Sequence, residues 1–150
     1  YIAPHCKKYE DYDRVMDAGA SSKNIYFIRY ADLILLYAEC LLAENDLAGA
    51  KQQVIRVRNR AKVSTPITAS NNTEMLDFIY EERMRELGME GWRRMDLIRR
   101  GADYFAAQVD KYNPFAKGNV QPYHAFYPIP TNEINMNDGI GAEDQNEGYK

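Results

Sequence analysis

Two glutamates one helical turn apart, Glu82 and Glu86, are the residues in this sequence that come nearest to a catalytic pair. Carboxylates at that spacing on a helix approach the roughly 5 Å separation used by retaining glycosidases. The surrounding residues argue against that chemistry. Arg83, Arg85 and Arg93 crowd the same stretch, and neighbouring cations favour the ionised form, whereas a general acid needs its proton held. No catalytic residue is assigned on this basis. Cys6 and Cys40 lack the paired spacing of a zinc site, and His5 and His124 are isolated, so no metal ligand set is expected. Cys40 reads as a buried hydrophobe on a helix.

The helix that must position these carboxylates carries them where an apolar seam is expected. In Ile79 to Gly101, IYEERMRELGMEGWRRMDLIRRG, an advance of about 100° per residue puts Met75, Ile79 and Glu86 on one line, flanked by Glu82 and Arg83. Glu81 and Arg85 face away from it. A carboxylate on a core-facing line requires a partner, because an unpaired buried charge costs several kcal/mol or is neutralised. Arg29, Asp32, Arg93 and Asp96 are the expected partners in an ion network whose role is structural.

Around this segment the chain reads as helical hairpins. Ile25 to Asn45 is apolar on more than one side, as a helix covered on two faces would be. After an Asn45-Asp46 turn, Leu47, Ala50, Val54, Val57 and Ala61 recur at three- and four-residue steps opposite Lys51, Gln52, Arg56 and Arg60, the pattern of a half-exposed helix. The two span about 34 residues, the period of tetratricopeptide hairpins. Asn71 to Thr73 caps a third helix, about Glu74 to Leu87, which Gly88 stops in a left-handed conformation. A fourth runs from about Glu90 to Arg100 and ends at Gly101. Residues 1–24 read as a polar loop. Beyond Ala102 regularity falls, the segment HAFYPIPTNEIN offers an extended stretch and one helical turn capped at Thr131 or Asn132, and a polar tail closes the chain.

Composition bounds the class. With 45% hydrophobic and 27% charged residues and a net charge of −3, the 150 residues are those of an ordinary folded domain. No basic face marks a nucleic-acid surface, and no apolar run approaches the ~20 residues that span a bilayer. The chain has neither an initiator Met nor a leader, and reads as a mature fragment or the later part of a longer protein.

Four segments resemble the C-terminal region of the SusD/RagB family of Bacteroidetes surface lipoproteins. They are Ile28-Arg29-Tyr30-Ala31-Asp32 with Leu36-Tyr37-Ala38-Glu39; Val57-Arg58-Asn59-Arg60-Ala61; Glu82-Arg83 through Glu86-Leu87, Glu90-Gly91, Arg93 and Asp96-Leu97; and Tyr127-Pro128-Ile129-Pro130 with Glu133-Ile134, Asn137 and Gln145-Asn146-Glu147-Gly148-Tyr149. Trp92 stands where a His is common, and Glu147 where the closing motif usually has Pro. The resemblance implies an all-α, tetratricopeptide-like fold with long irregular loops and an extended tail. It implies no cofactor and no catalysis. The implied role is surface capture of an oligosaccharide, or of peptides in some members, for a SusC-like TonB-dependent transporter in the outer membrane, with the membrane reached through an N-terminal lipid anchor absent from this chain. A generic helical scaffold for protein partners is the alternative. Trp92 and Tyr127 are expected to pack. Loop tyrosines Tyr9 and Tyr12 are the expected ligand contacts, since an exposed ring offers a flat apolar face and a hydroxyl.

Overall fold

A computed structural model describes residues 7–11, 21 and 23–150. Among them are six α-helices and no strand: α1 Tyr30–Ala43, α2 Leu47–Arg60, α3 Asn72–Glu86, α4 Arg93–Arg99, α5 Ala102–Tyr112 and α6 Thr131–Met136. The fold is all-α and consistent with the tetratricopeptide-like class. Two compact units divide the chain, one up to Arg93 and one from Arg94.

In the first unit α1, α2 and α3 pack on one another around Leu35, Ala38, Ala50, Val54, Met75 and Ile79, all fully buried. The turns between them follow from local chemistry. Asn45 adopts a left-handed conformation at φ 62°, which Asn tolerates better than most residues, and Asp46 then caps α2 by accepting from the Gly49 N–H at 2.8 Å. Asn71 caps α3 by accepting from the Glu74 N–H at 3.0 Å, while the Glu74 carboxylate takes the Ser70 N–H at 2.7 Å. The Asn71 bond satisfies a donor that the first helical turn leaves open, and the Glu74 bond ties down the residue ahead of the cap. Those Ser70 bonds, backbone first, also hold the Glu74 carboxyl below the usual carboxylate range.

Several element boundaries differ from the sequence pattern. Helix α1 starts at Tyr30 rather than Ile25, because Arg29 is extended at φ −118°, ψ 155° and Ile25 to Ile28 lie exposed ahead of it. The left-handed residue after α3 is Met89, φ 66°, and not Gly88; Gly91 follows at φ 85°. Two left-handed residues in three delay α4 to Arg93. Cys40 is exposed, not buried, since α1 turns Ile34, Leu35, Ala38 and Leu42 inward and Cys40 falls on the other face.

The second unit is built on Leu97, Phe105 and Ala125, with Ile98, Ala102, Val109 and Val120 against them. Helix α5 was not foreseen, yet Ala102, Phe105, Ala106 and Val109 keep helical spacing, and Gly101 introduces it at φ 103°. The closing tail is fastened by side chains that imitate a backbone ladder. Gln145 accepts the Ile129 N–H at 2.8 Å and returns its own amide N–H to the Ile129 carbonyl at 2.9 Å. Asn146 donates to the Tyr127 carbonyl at 2.7 Å, and the Tyr149 hydroxyl donates to that of Phe126 at 3.1 Å. The two halves of the fourth sequence segment thus bind each other. Tyr127 does not pack as expected: it is 72% exposed, and its ring is covered by the Arg94 guanidinium, 4.2 Å from the ring centre, which also donates to the His124 and Ala125 carbonyls. Trp92 is half-buried, edge-on to Phe27 at 6.2 Å.

Candidate functional site

Helix α3 places Glu82, Arg83 and Glu86 on its packed side, and each meets a specific partner. Arg83 lies 2.7 Å from Asp32 on α1, with side chains only 2% and 6% exposed, and Glu39 stands 4.0 Å from the other side of the guanidinium. Glu82 accepts from Arg58 on α2 at 2.9 Å and from Arg85 at 3.0 Å, while Arg58 also donates to the Thr65 carbonyl at 2.6 Å. Glu86 accepts from Arg29 at 2.8 Å and from Arg60. Arg85, on the solvent side, reaches Glu81 at 3.7 Å. Arg93 donates to the Tyr80 carbonyl at 3.1 Å, and in the second unit Asp96 is buried with Arg99 at 3.5 Å. Sequence reasoning placed Arg60 on the free face of α2 and named no role for Arg58. The signal for Arg58 was its four-residue offset from the core residue Val54.

The network continues to a residue that the sequence left unassigned. Glu90 is 1% exposed at its side chain. Arg29 grips it through Nε at 2.9 Å to both oxygens and through a terminal nitrogen at 2.7 Å, and Lys8 approaches at 2.6 Å. Lys8 further donates to the Glu86 and Gly88 carbonyls, as does Arg29 to Glu86. These cations satisfy carbonyls that the end of α3 leaves open, at the negative pole of its dipole. Burial alone pushes the Glu90 carboxyl up; the hydrogen bonds and charges of Arg29 and Lys8 outweigh it and hold the group below the usual range. The same Glu90 bond raises Arg29 against the opposing effect of its own burial.

A depressed carboxyl of this kind contributes stability above its unfolded-state pKa, and that contribution is lost as pH falls through the folded-state value. Glu90→Gln is expected to cost about 1.5 to 3 kcal/mol at neutral pH and to flatten the loss of stability between neutral pH and the acid side of the carboxylate range. Urea unfolding followed through Trp92, the single tryptophan, checks both.

Glu90 and Met89 form one side of a cleft of about 470 Å³ in the first unit, closed by Tyr9, Ser21, Lys23, Ile25 and Tyr26. Its volume is that of a small-ligand site. Tyr9 is half-buried, Tyr26 is exposed, and their rings stand 6.3 Å apart at 38°. The wall is tied to the 7–11 segment by Ser21 donating to Asp11 and Lys23 donating to the Glu10 carbonyl. Tyr9 was an expected contact; Tyr26 was not, because it lay inside the predicted start of α1. Tyr12 falls outside the described residues. Such a cleft can hold an uncharged ring against two tyrosine faces, with Lys23 and the tyrosine hydroxyls at its rim as hydrogen-bonding groups. Among the described residues no three His, Cys, Asp or Glu side chains gather as a metal site would, and no helix is long and apolar enough to cross a membrane.

Comparison with known proteins bears on these features. The sequence model of the SusD family matches residues 1–149. SusD-like protein P25 of Formosa agariphila is 34% identical over 134 residues, 86% of this chain and 25% of that protein. The starch-binding protein SusD of Bacteroides thetaiotaomicron is 32% identical over 142 residues, 91% of this chain and 23% of that protein. The chain therefore spans about a quarter of the length of these curated relatives. No solved structure matches it.

Proposed function

Because the chain belongs to the SusD family, we propose that it serves in non-catalytic capture of an oligosaccharide at the cell surface and in its delivery to a SusC-like TonB-dependent transporter of the outer membrane. The observation that carries this reading is the family match over residues 1–149, joined by a relative whose name states starch binding. Binding is assigned to the cleft lined by Tyr9 and Tyr26: the two tilted rings, 6.3 Å apart, together offer one apolar platform to a single face of a sugar, and Lys23 and the hydroxyls meet its oxygens. The binding surface and the charged helix have separate tasks. Glu82 and Glu86 each accept from two guanidinium groups, which makes them acceptors locked in a scaffold and not proton donors to a glycosidic oxygen.

Tyr26→Ala and Tyr9→Ala test the assignment of the cleft. Each is expected to weaken binding of a soluble oligosaccharide about 5- to 150-fold, on the scale of one aromatic contact of roughly 1 to 3 kcal/mol, with the unfolding transition moved little for the exposed Tyr26. Titrations by calorimetry with maltoheptaose, laminarihexaose and xylohexaose provide the comparison. Unchanged affinity in both variants, for a sugar that the unaltered chain binds, would remove the cleft from the binding surface.

A further inference from the structure

The second unit contains a cleft of its own, about 700 Å³, framed by Gln121, Tyr123, Phe126, Asn146 and Glu147 over Gly148. It takes no part in the site described above, and its volume falls in the range of ligand pockets. Its walls are held in place. The Tyr123 ring is fixed between His124, 4.1 Å away, and the edge of Tyr149 at 5.1 Å. Gly148, left-handed at φ 86°, lets the backbone pass against that ring where a Cβ would come within 2.3 Å. Asn146 is pinned by its bond to the Tyr127 carbonyl. Phe126, by contrast, presents 59% of its surface to solvent beside these anchored groups.

Glu147 sets the polarity of this cleft. It is the one charged residue among the described residues that line it, and among the described residues no hydrogen bond or ion pair engages its carboxylate. Glu82 and Glu86 of α3 are engaged by arginines, whereas Glu147 is exposed at the edge of an aromatic wall. An exposed ring, two amide side chains and an unengaged carboxylate form a complementary set for a ring-shaped polar ligand bearing one positive charge: apolar face on Phe126, hydroxyls on the amides, cation on Glu147.

We infer that this cleft is a second carbohydrate subsite, selective for a hexose with a primary amine, and that Glu147 is its specificity-determining residue. The subsite goes beyond the Tyr9–Tyr26 cleft and does not depend on it. The test titrates the 150-residue chain with D-glucosamine, D-glucose and N-acetyl-D-glucosamine and follows the ring resonances of Phe126 and Tyr123. D-glucosamine is expected to give saturable shifts about five- to tenfold tighter than the two uncharged sugars, the scale of a charge-assisted hydrogen bond at a partly exposed site. Glu147→Gln, at an exposed position without an internal partner, should fold unchanged and bring D-glucosamine down to the level of D-glucose. Phe126→Ala should weaken all three sugars, and Tyr26→Ala none, which separates this subsite from the first cleft. Absence of saturable shifts for every sugar overturns the proposal. So does a D-glucosamine preference that survives in Glu147→Gln, or binding of Nα-acetyl-lysine amide at equal strength, which would make the cleft a site for a cationic side chain.

Discussion

Arg83→Met is expected to destabilise the first unit by about 3 to 5 kcal/mol, the usual cost of stranding one member of a buried ion pair. The partner left behind is Asp32, whose carboxylate is 6% exposed and 2.7 Å from the guanidinium. Asp32 and Arg83 are themselves 4% and 2% exposed, and Leu35, Ala38 and Ile79 on the same helices are fully buried, so water has little access to a stranded carboxylate. Replacing both partners, Asp32→Leu with Arg83→Met, should recover much of the loss, because an apolar pair of similar volume pays no desolvation penalty. The double-mutant cycle, read by urea unfolding through Trp92, should therefore show strong coupling. By comparison Glu81, partly exposed and 3.7 Å from the exposed Arg85, should cost less than about 1 kcal/mol when replaced by Gln. Additive effects at Arg83 and Asp32 would mean that the two do not support each other in the folded state.

The second large effect is expected at Gly148. An alanine there must hold a left-handed backbone, which costs about 1 to 3 kcal/mol, and must also push its Cβ into the Tyr123 ring, 2.3 Å away at Cγ, with an overpacking cost of about 1 to 3 kcal/mol more. Tyr123 cannot swing aside freely, since Tyr149 and His124 flank it. The strain is relieved most easily by releasing the tail, which is held by Gln145, Asn146 and Tyr149 alone among the contacts described for it. Gly148→Ala should accordingly abolish hydrogen-exchange protection of the Ile129 amide, whose acceptor is the Gln145 side chain, while leaving the α1–α3 core intact. Protection retained at Ile129 would show that the tail is held by other means.

How far each feature could be read from the sequence depends on the physics behind it. The buried face of α3 follows from helical periodicity, which places Met75, Ile79, Glu82 and Arg83 on the packed side whatever their polarity. Helices α1 to α3 carry long, regular apolar patterns and show themselves for the same reason. Partner choice is a tertiary property. Arg58 and Arg60 sit only two residues apart on α2, and the direction of α2 against α3, invisible in the sequence, sends them to Glu82 and Glu86. Arg29 shows the opposite limit: its apolar neighbours Ile25 to Ile28 read as helix, but its engagement with Glu86 and Glu90 accompanies an extended backbone and moves the helix start to Tyr30. Tyr127 does not pack although a ring at the head of the Tyr-Pro-Ile-Pro segment resembles a core residue, because an arginine stacked on it lets it remain in solvent. Tyr26 joined the cleft unforeseen, as its segment was counted in the helix.

The protein as proposed binds sugar without cleaving it, through the tyrosine cleft of the first unit. The most direct test titrates maltoheptaose, laminarihexaose and xylohexaose into the 150-residue chain, following the ring resonances of Tyr9 and Tyr26 and the release of reducing ends in the same samples. Saturable shifts at these rings with at least one of the sugars, and no new reducing ends, is the expected result; reducing-end release by the chain, or rings unmoved by all three sugars, would contradict it.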